Sequence, residues 1–287
     1  MRASRHAPLR GQVFGFRIGC SLPLPELAPA VGEADVCVDL APCEGVLATG
    51  YERPGGALAY GYAGVARLIV DDRILVQHTP DLDPAIWRLL LLGTGMALYS
   101  HRRGLPVLHG TTVRLDGSDL IVCGPSGVGK STVTAALLAR GAGLVADDVG
   151  ILDQGAIRPG LARIKVWEDT AAWLGHDPTS LARVHPGFDK RAIPVALEEE
   201  PAPLRTVVVL ERGPAGLERL EGPAALLELL ALHRVAEVLV PAESAVWMAA
   251  MSVLASSVRV LRLRLPGPLD TVPTAVDHLL ATLAEPA

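Results

Sequence analysis

The chain has 287 residues, 50% hydrophobic and 20% charged, with a formal net charge of -5, so it is long enough for a large core and too apolar to be disordered. The acidic balance and the 4% aromatic content exclude a general nucleic-acid binder, which needs a basic stripe or a stacking platform. The 29 Gly and 23 Pro exceed their usual combined share of about 12% without a G-X-Y period, so the excess belongs in turns and at backbone sites that require Gly.

In chain order, residues 1–81 read as a β-rich region. Its candidates are an alternating strand over Val13–Ile18, an extended or turn-like Leu22–Pro25, a strand over Val36–Leu40, and a hairpin over Val65–Val76 turning at Asp71-Asp72. Asp83-Pro84 is an N-cap with Pro at the first helical position, opening a helix that Gly104 ends. Residues 82–287 form the second part. Val107–His109 and Thr111–Val113 read as one strand, Asp116-Gly117 as a two-residue hairpin turn, and Leu120–Cys123 as the apolar return strand. A helix over 130–140 with Gly141 behind it leads to a strand over Leu144–Ala146. A buried strand over Thr206–Leu210, helices over 223–239 and 242–257, a strand near a sheet edge over Arg259–Leu265 and a helix over 270–284 complete the chain. The most apolar window, 245–258, is too short to span a bilayer and reads as a buried helix.

Cys20, Cys37, Cys43 and Cys123 have neither C-x-x-C nor zinc spacing, and read as free thiols of a reducing compartment. The basic start Met1–His6 is not followed by an apolar run, so it is no signal peptide. The expected location is cytoplasmic, with neither membrane nor nucleic acid as partner.

Gly124-Pro125-Ser126-Gly127-Val128-Gly129-Lys130-Ser131 fits G-x-x-x-x-G-K-[ST] between a strand and a helix. Glycines there turn backbone N–H groups inward onto phosphate oxygens, and the helix N-terminus adds its dipole. Lys130 is expected on the β- and γ-phosphates, Ser131 on Mg²⁺, and Thr132 continues the site into the helix. Asp147-Asp148 ends the next strand, where a metal-side acid belongs. Neighbours on an extended strand point opposite ways, so one acid is expected to serve the metal and the other the acceptor. An Asp of ordinary pKa is ionised at neutral pH and needs no tuning to act as a base.

If Asp116-Gly117 is the turn, hairpin partners number 233 together, which sets His109 opposite Gly124 beside the phosphate cradle. Downstream, Arg158, Arg163 and Lys165 are candidate phosphate or peptide contacts, as are Lys190 and Arg191 in a loop-like stretch. His176, His185 and His233 carry no partner pattern.

The stretch from Leu108-His109-Gly110 through the Gly124–Ser131 loop to Leu144-Val145-Ala146-Asp147-Asp148 resembles the HPr kinase/phosphorylase family in type, order and spacing. The resemblance implies an α/β fold: a P-loop kinase core of the HPr kinase and phosphoenolpyruvate carboxykinase type, here behind a small β-rich region. It implies ATP and Mg²⁺ as cofactors and transfer to a serine hydroxyl of a peptide or protein partner. Carried over, Asp147 is the base, Asp148 and Ser131 lie on the metal side, and His109 neighbours the γ-phosphate. The family's Glu-Ile-Arg-Gly-Leu-Gly segment departs here to Ala156-Ile157-Arg158-Pro159-Gly160-Leu161, without the acid. Phe14-Gly15-Phe16, Leu22–Leu27, Pro159–Trp167 and Leu261-Arg262-Leu263 look similar to the smaller HPr-kinase-like proteins found beside lasso-peptide genes. That likeness implies a precursor peptide phosphorylated on a serine at or near its C-terminus. A kinase of HPr or another folded protein, a small-molecule kinase and a non-catalytic nucleotide-binding regulator are the competing readings. The oligomeric state stays open, a homo-oligomer included.

Overall fold

Period-two geometry divides the strand Ser118–Cys123 between two cores. Leu120 and Val122 belong to a cluster with Val133, Leu137, Val276 and Leu279, while Ile121 and Cys123 belong to one with Trp87, Leu229 and Met251. A strand buried on both faces needs covering layers on both, the arrangement of a mixed α/β protein. The computed structural model describes residues 7–45 and 47–285; the basic start Met1–His6 lies outside the described residues. It places this strand inside a six-stranded sheet ordered Gly143–Ala146, Gly110–Leu115, Ser118–Cys123, Leu204–Arg212, Arg259–Leu265, Gly216–Leu220. Ser118–Cys123, Leu204–Arg212 and Arg259–Leu265 run parallel, and the other pairings are antiparallel. Helices Lys130–Leu138 and Val272–Ala284 supply one core, and Gly222–Ala231 and Pro241–Ser257 supply the other.

The hairpin has the expected register, from Leu115 opposite Ser118 to Gly110 opposite Cys123. Asp116 and Gly117 both take positive φ, 46° and 75°, as a primed turn requires. The strand before it is broken, however. Val107–Leu108 pairs with Gly150 and Ile151 in a separate three-stranded sheet, and Gly110–Leu115 starts afresh in the six-stranded one. His109 sits at the break because its N–H donates to Leu232 O (2.9 Å) rather than to a sheet partner.

Residues Leu9–His78 form a seven-stranded sheet. Val13–Ile18 is not one strand: Phe14 (φ 52°) and Gly15 (φ 70°) make a turn between Leu9–Val13 and Phe16–Cys20. The Asp71-Asp72 hairpin is present between Ala66–Val70 and Ile74–His78. Asp83 caps the next helix through its carboxylate, which accepts from Ala85 N–H. That helix runs from Pro84 to Arg102 with a π turn at Leu91–Gly95, and Leu91, Met96 and Leu98 join Ile18, Val38, Leu68 and Val76 in one cluster. The N-terminal sheet therefore shares its core with one face of the central sheet.

Arg259–Leu265 lies near the edge of its sheet, as its alternation suggested: Gly216–Leu220 alone stands outside it, and Arg262 and Arg264 pair with Glu211 and Glu218 on its polar face. Two further expectations are corrected. Lys190 and Arg191 lie in the strand Phe188–Pro194, not in a loop. The helix Pro241–Ser257 buries Trp247, Met251 and Leu254 but leaves Val246, Met248 and Val253 exposed. All four cysteines are free. No helix among the described residues is long and apolar enough to cross a membrane.

Candidate active site

Parallel strands open a crevice beyond their carboxyl ends. At that end the chain leaves Cys123, Ala146 and Arg212, and a cleft of about 520 Å³ lies among the segments that follow. The loop after Cys123 needs its glycines: Gly124, Gly127 and Gly129 have φ of 139°, 78° and 118°. A Cβ on Gly124 would also lie 2.8 Å from Leu210 O. Gly129 is the N-cap of Lys130–Leu138, so the helix's unpaired N–H groups begin at the cleft. Lys130 Nζ donates to Gly124 O (2.7 Å) and Pro125 O (3.0 Å). Burial lowers its pKa, and Asp148 opposes the shift. Ser126, Gly127, Gly129, Lys130, Ser131 and Thr132 line the cleft; Gly124 and Val128 support it from behind, Val128 within the core.

Both acids face this cleft, against the expectation for an extended strand. Asp148 is not extended: its φ of 72° is left-handed and turns the chain between the two carboxylates. Asp147 accepts from Thr111 Oγ1 (2.9 Å) and from the N–H of Lys165 (3.0 Å). Lys165 Nζ lies 3.2 Å from Asp148 and 3.9 Å from Asp147. Arg234 stands 3.9 Å from Asp148. The pair titrates apart. Burial raises the Asp147 pKa and Lys165 only partly opposes this, so its pKa is not the ordinary one. Burial would raise Asp148 as well, but the cations Lys165 and Arg234 hold it well below the carboxylate range.

His109 lines the same cleft, beyond the last hairpin pair Gly110–Cys123. Its Nδ1 is 3.1 Å from the carbonyl oxygen of Asp148 and 3.7 Å from Asp148 Oδ1. A carbonyl only accepts, so Nδ1 carries the proton. Burial pushes the His109 pKa down to about 4, with Arg234 and Lys130 acting the same way against Asp148, so the ring is neutral.

Of the downstream cations, Lys165 and Lys190 reach the cleft, and Lys190 Nζ sits 5.0 Å from the Trp167 ring centre. Arg191, next along the strand, turns away to Glu168 and Leu181 O. Arg158 is also outside, bonded to Asp153 and Phe14 O and lying over the Phe16 ring. Arg212, Arg234 and Thr111 line the cleft without having been expected there. Arg212 had a signal, since it closes an apolar strand that runs parallel to the loop strand. Arg234 had none; it lies outside any regular element between two helices. His185, read as bland, also lines the cleft.

Among the described residues no group of three or more His, Cys, Asp or Glu is placed to hold a metal. The hydroxyl of Ser131 and the carboxylate of Asp148 fit Mg²⁺, which takes one or two protein ligands and completes its shell with phosphate and water.

No family model and no curated protein matches the chain. Among solved structures it is similar to the Hpr(Ser) kinase/phosphatase from Coxiella burnetii, at 13% identity and a TM-score of 0.27, covering 62% of this chain and 95% of that one. An overlap this loose leaves the site to be judged on its own residues.

Proposed function

We propose that the chain is an ATP-dependent phosphotransferase that phosphorylates a serine hydroxyl of a peptide or protein, in the cytoplasm. The observation that carries this reading is the gathering of Lys130 at a helix N-terminus, two acids of opposite titration and the cations Lys165, Lys190, Arg212 and Arg234 in one cleft. The motif resemblance to HPr kinase/phosphorylase supports the same P-loop kinase core, with residues 1–81 as a β-rich region ahead of it. The finer reading is a lasso-peptide precursor as acceptor, phosphorylated at or near its C-terminus.

In this reading the glycine loop and helix N-terminus hold the phosphates, and Lys130 exchanges its loop carbonyls for phosphate oxygens. Ser131 and Asp148 would hold Mg²⁺, which neutralises phosphate charge when bound. Asp148 suits that task because its neighbours keep it ionised. Asp147 takes the acceptor proton. Both of its oxygens already accept one hydrogen bond, and each can accept another. Its raised pKa makes it the stronger base of the two. The serine oxygen then bonds to the γ-phosphorus, the bond to the bridging oxygen breaks, and ADP leaves. His109 is a positioning residue: its Nδ1–H holds the carbonyl of the left-handed Asp148.

Incubation with γ-labelled ATP and Mg²⁺, with and without serine peptides, tests the reading, with Lys130→Ala as control. Labelled product from the wild type alone is the expected outcome. Nucleotide binding without a labelled product from any peptide or protein acceptor would favour the regulator.

A further inference from the structure

The cleft has a second side that phosphate chemistry does not need. The chain has only 3 Phe, 4 Trp and 4 Tyr, yet Tyr60, Tyr62, Trp167 and Phe188 all line this one cavity. Trp167 and Phe188 are 44% and 45% exposed, unusual for rings of their size. Tyr62 and Phe188 are joined through His185. His185 lies 4.5 Å from Phe188 and 5.9 Å from Tyr62, centre to centre. Its Nδ1 accepts from Gly187 N–H (2.9 Å), so in the neutral ring Nε2 carries the proton and meets Tyr62 Oη at 3.2 Å. This wall is therefore uncharged at its centre, with Lys190 stacked on Trp167 as its cationic border.

Its place decides what it faces. Trp167 ends the strand whose Lys165 contacts both acids, so the wall lies on the acid side of the phosphate loop. On the opposite flank, a separate cavity of about 420 Å³ is lined by Val128, Glu211, Glu228 and Arg262. Ser126, Gly127 and Arg212 line both spaces. A donor with its phosphates on the loop thus has room for its nucleoside away from the rings. Resting on the kinase reading above, we infer that Tyr62, Trp167 and Phe188 determine acceptor specificity by seating an apolar or aromatic side chain that flanks the acceptor serine. Tyr60 and Tyr62 make the N-terminal sheet a part of the substrate site.

The test pairs two measurements on the full chain. One is transfer from γ-labelled ATP to a serine-centred peptide library with each flanking position varied. The other is Mg·ADP binding by calorimetry. Wild type is expected to prefer large apolar over Gly or Asp flanking residues by about tenfold. Trp167→Ala and Phe188→Ala flatten that preference, Phe188→Leu keeps part of it, and none shifts the Mg·ADP dissociation constant by more than about threefold. A flat wild-type preference, or a wild type that binds Mg·ADP but labels no peptide, overturns the inference. So does a Trp167→Ala chain that keeps the preference and loses ADP affinity, since the wall would then stack the nucleobase. A wild type that binds no nucleotide overturns the kinase reading itself.

Discussion

The glycine loop, its lysine and the acid pair are drawn from one continuous run between His109 and Asp148, whereas the facing wall is drawn from residues 60–62, 167 and 185–190. The first is a local object. Its glycines, lysine and acids are positioned by a hairpin, one helix and one strand that follow each other directly. The second exists only after a seven-stranded sheet and a three-stranded sheet have met over the central one. On the proposed reading the difference separates two kinds of selectivity: phosphate binding would reside in backbone conformation, acceptor choice in long-range packing. A lineage could alter the wall without touching the loop.

Each prediction strains that division. Lys130→Ala should abolish transfer to every acceptor alike, by about 10³-fold in kcat/KM, because it removes charge stabilisation rather than recognition. Unequal losses among acceptors, read across the peptide library, would mean the two sides are not separable. Asp147→Asn should lower kcat on the order of 10²-fold with Mg·ADP binding retained by calorimetry, whereas Asp148→Asn should weaken the Mg²⁺ dependence of binding. The reverse pattern would exchange the roles of the acids.

A smaller effect concerns histidines. Burial pushes His109 and His233 down to about 4 from 6.5. Below pH 6.5 the unfolded chain takes up protons on both rings, and the folded chain does so only near pH 4. Stability is thus lost as pH falls through that window, and Tm should drop by about 5 °C between pH 7 and pH 4.5. His109→Asn should have a shallower drop by differential scanning calorimetry; an unchanged slope would dismiss His109 as a contributor. Smallest of all is Arg158→Ala. It lies outside the cleft, so transfer should stay within about twofold, while loss of its bonds to Asp153 and Phe14 should cost about 1 kcal/mol in urea unfolding.

The same division governed what could be read from the sequence. The loop, the hairpin register and the acid pair were legible because a turn dipeptide and a spacing determine them locally. The split at His109 was not, since it depends on Leu232, far along the chain. The left-handed Asp148 defeated the alternation rule, because the strand had already ended at Ala146. Arg158 and Arg191 looked like phosphate contacts by type, yet acidic partners at Asp153 and Glu168 claim them. Arg234 became a site residue only through the turn between helices, where no periodicity points to it. The wall was invisible because His185 and the tyrosines carry no pattern until they touch.

Lys130 holds two carbonyls of its own loop, Gly124 O and Pro125 O. An incoming anion therefore enters a competition and must outbid two neutral acceptors for one ammonium group. Chloride or acetate offers too little, while a polyphosphate offers several charged oxygens at once. On the proposed phosphotransferase reading, the loop would act as a threshold device, answering to chained phosphate more than to monovalent anions.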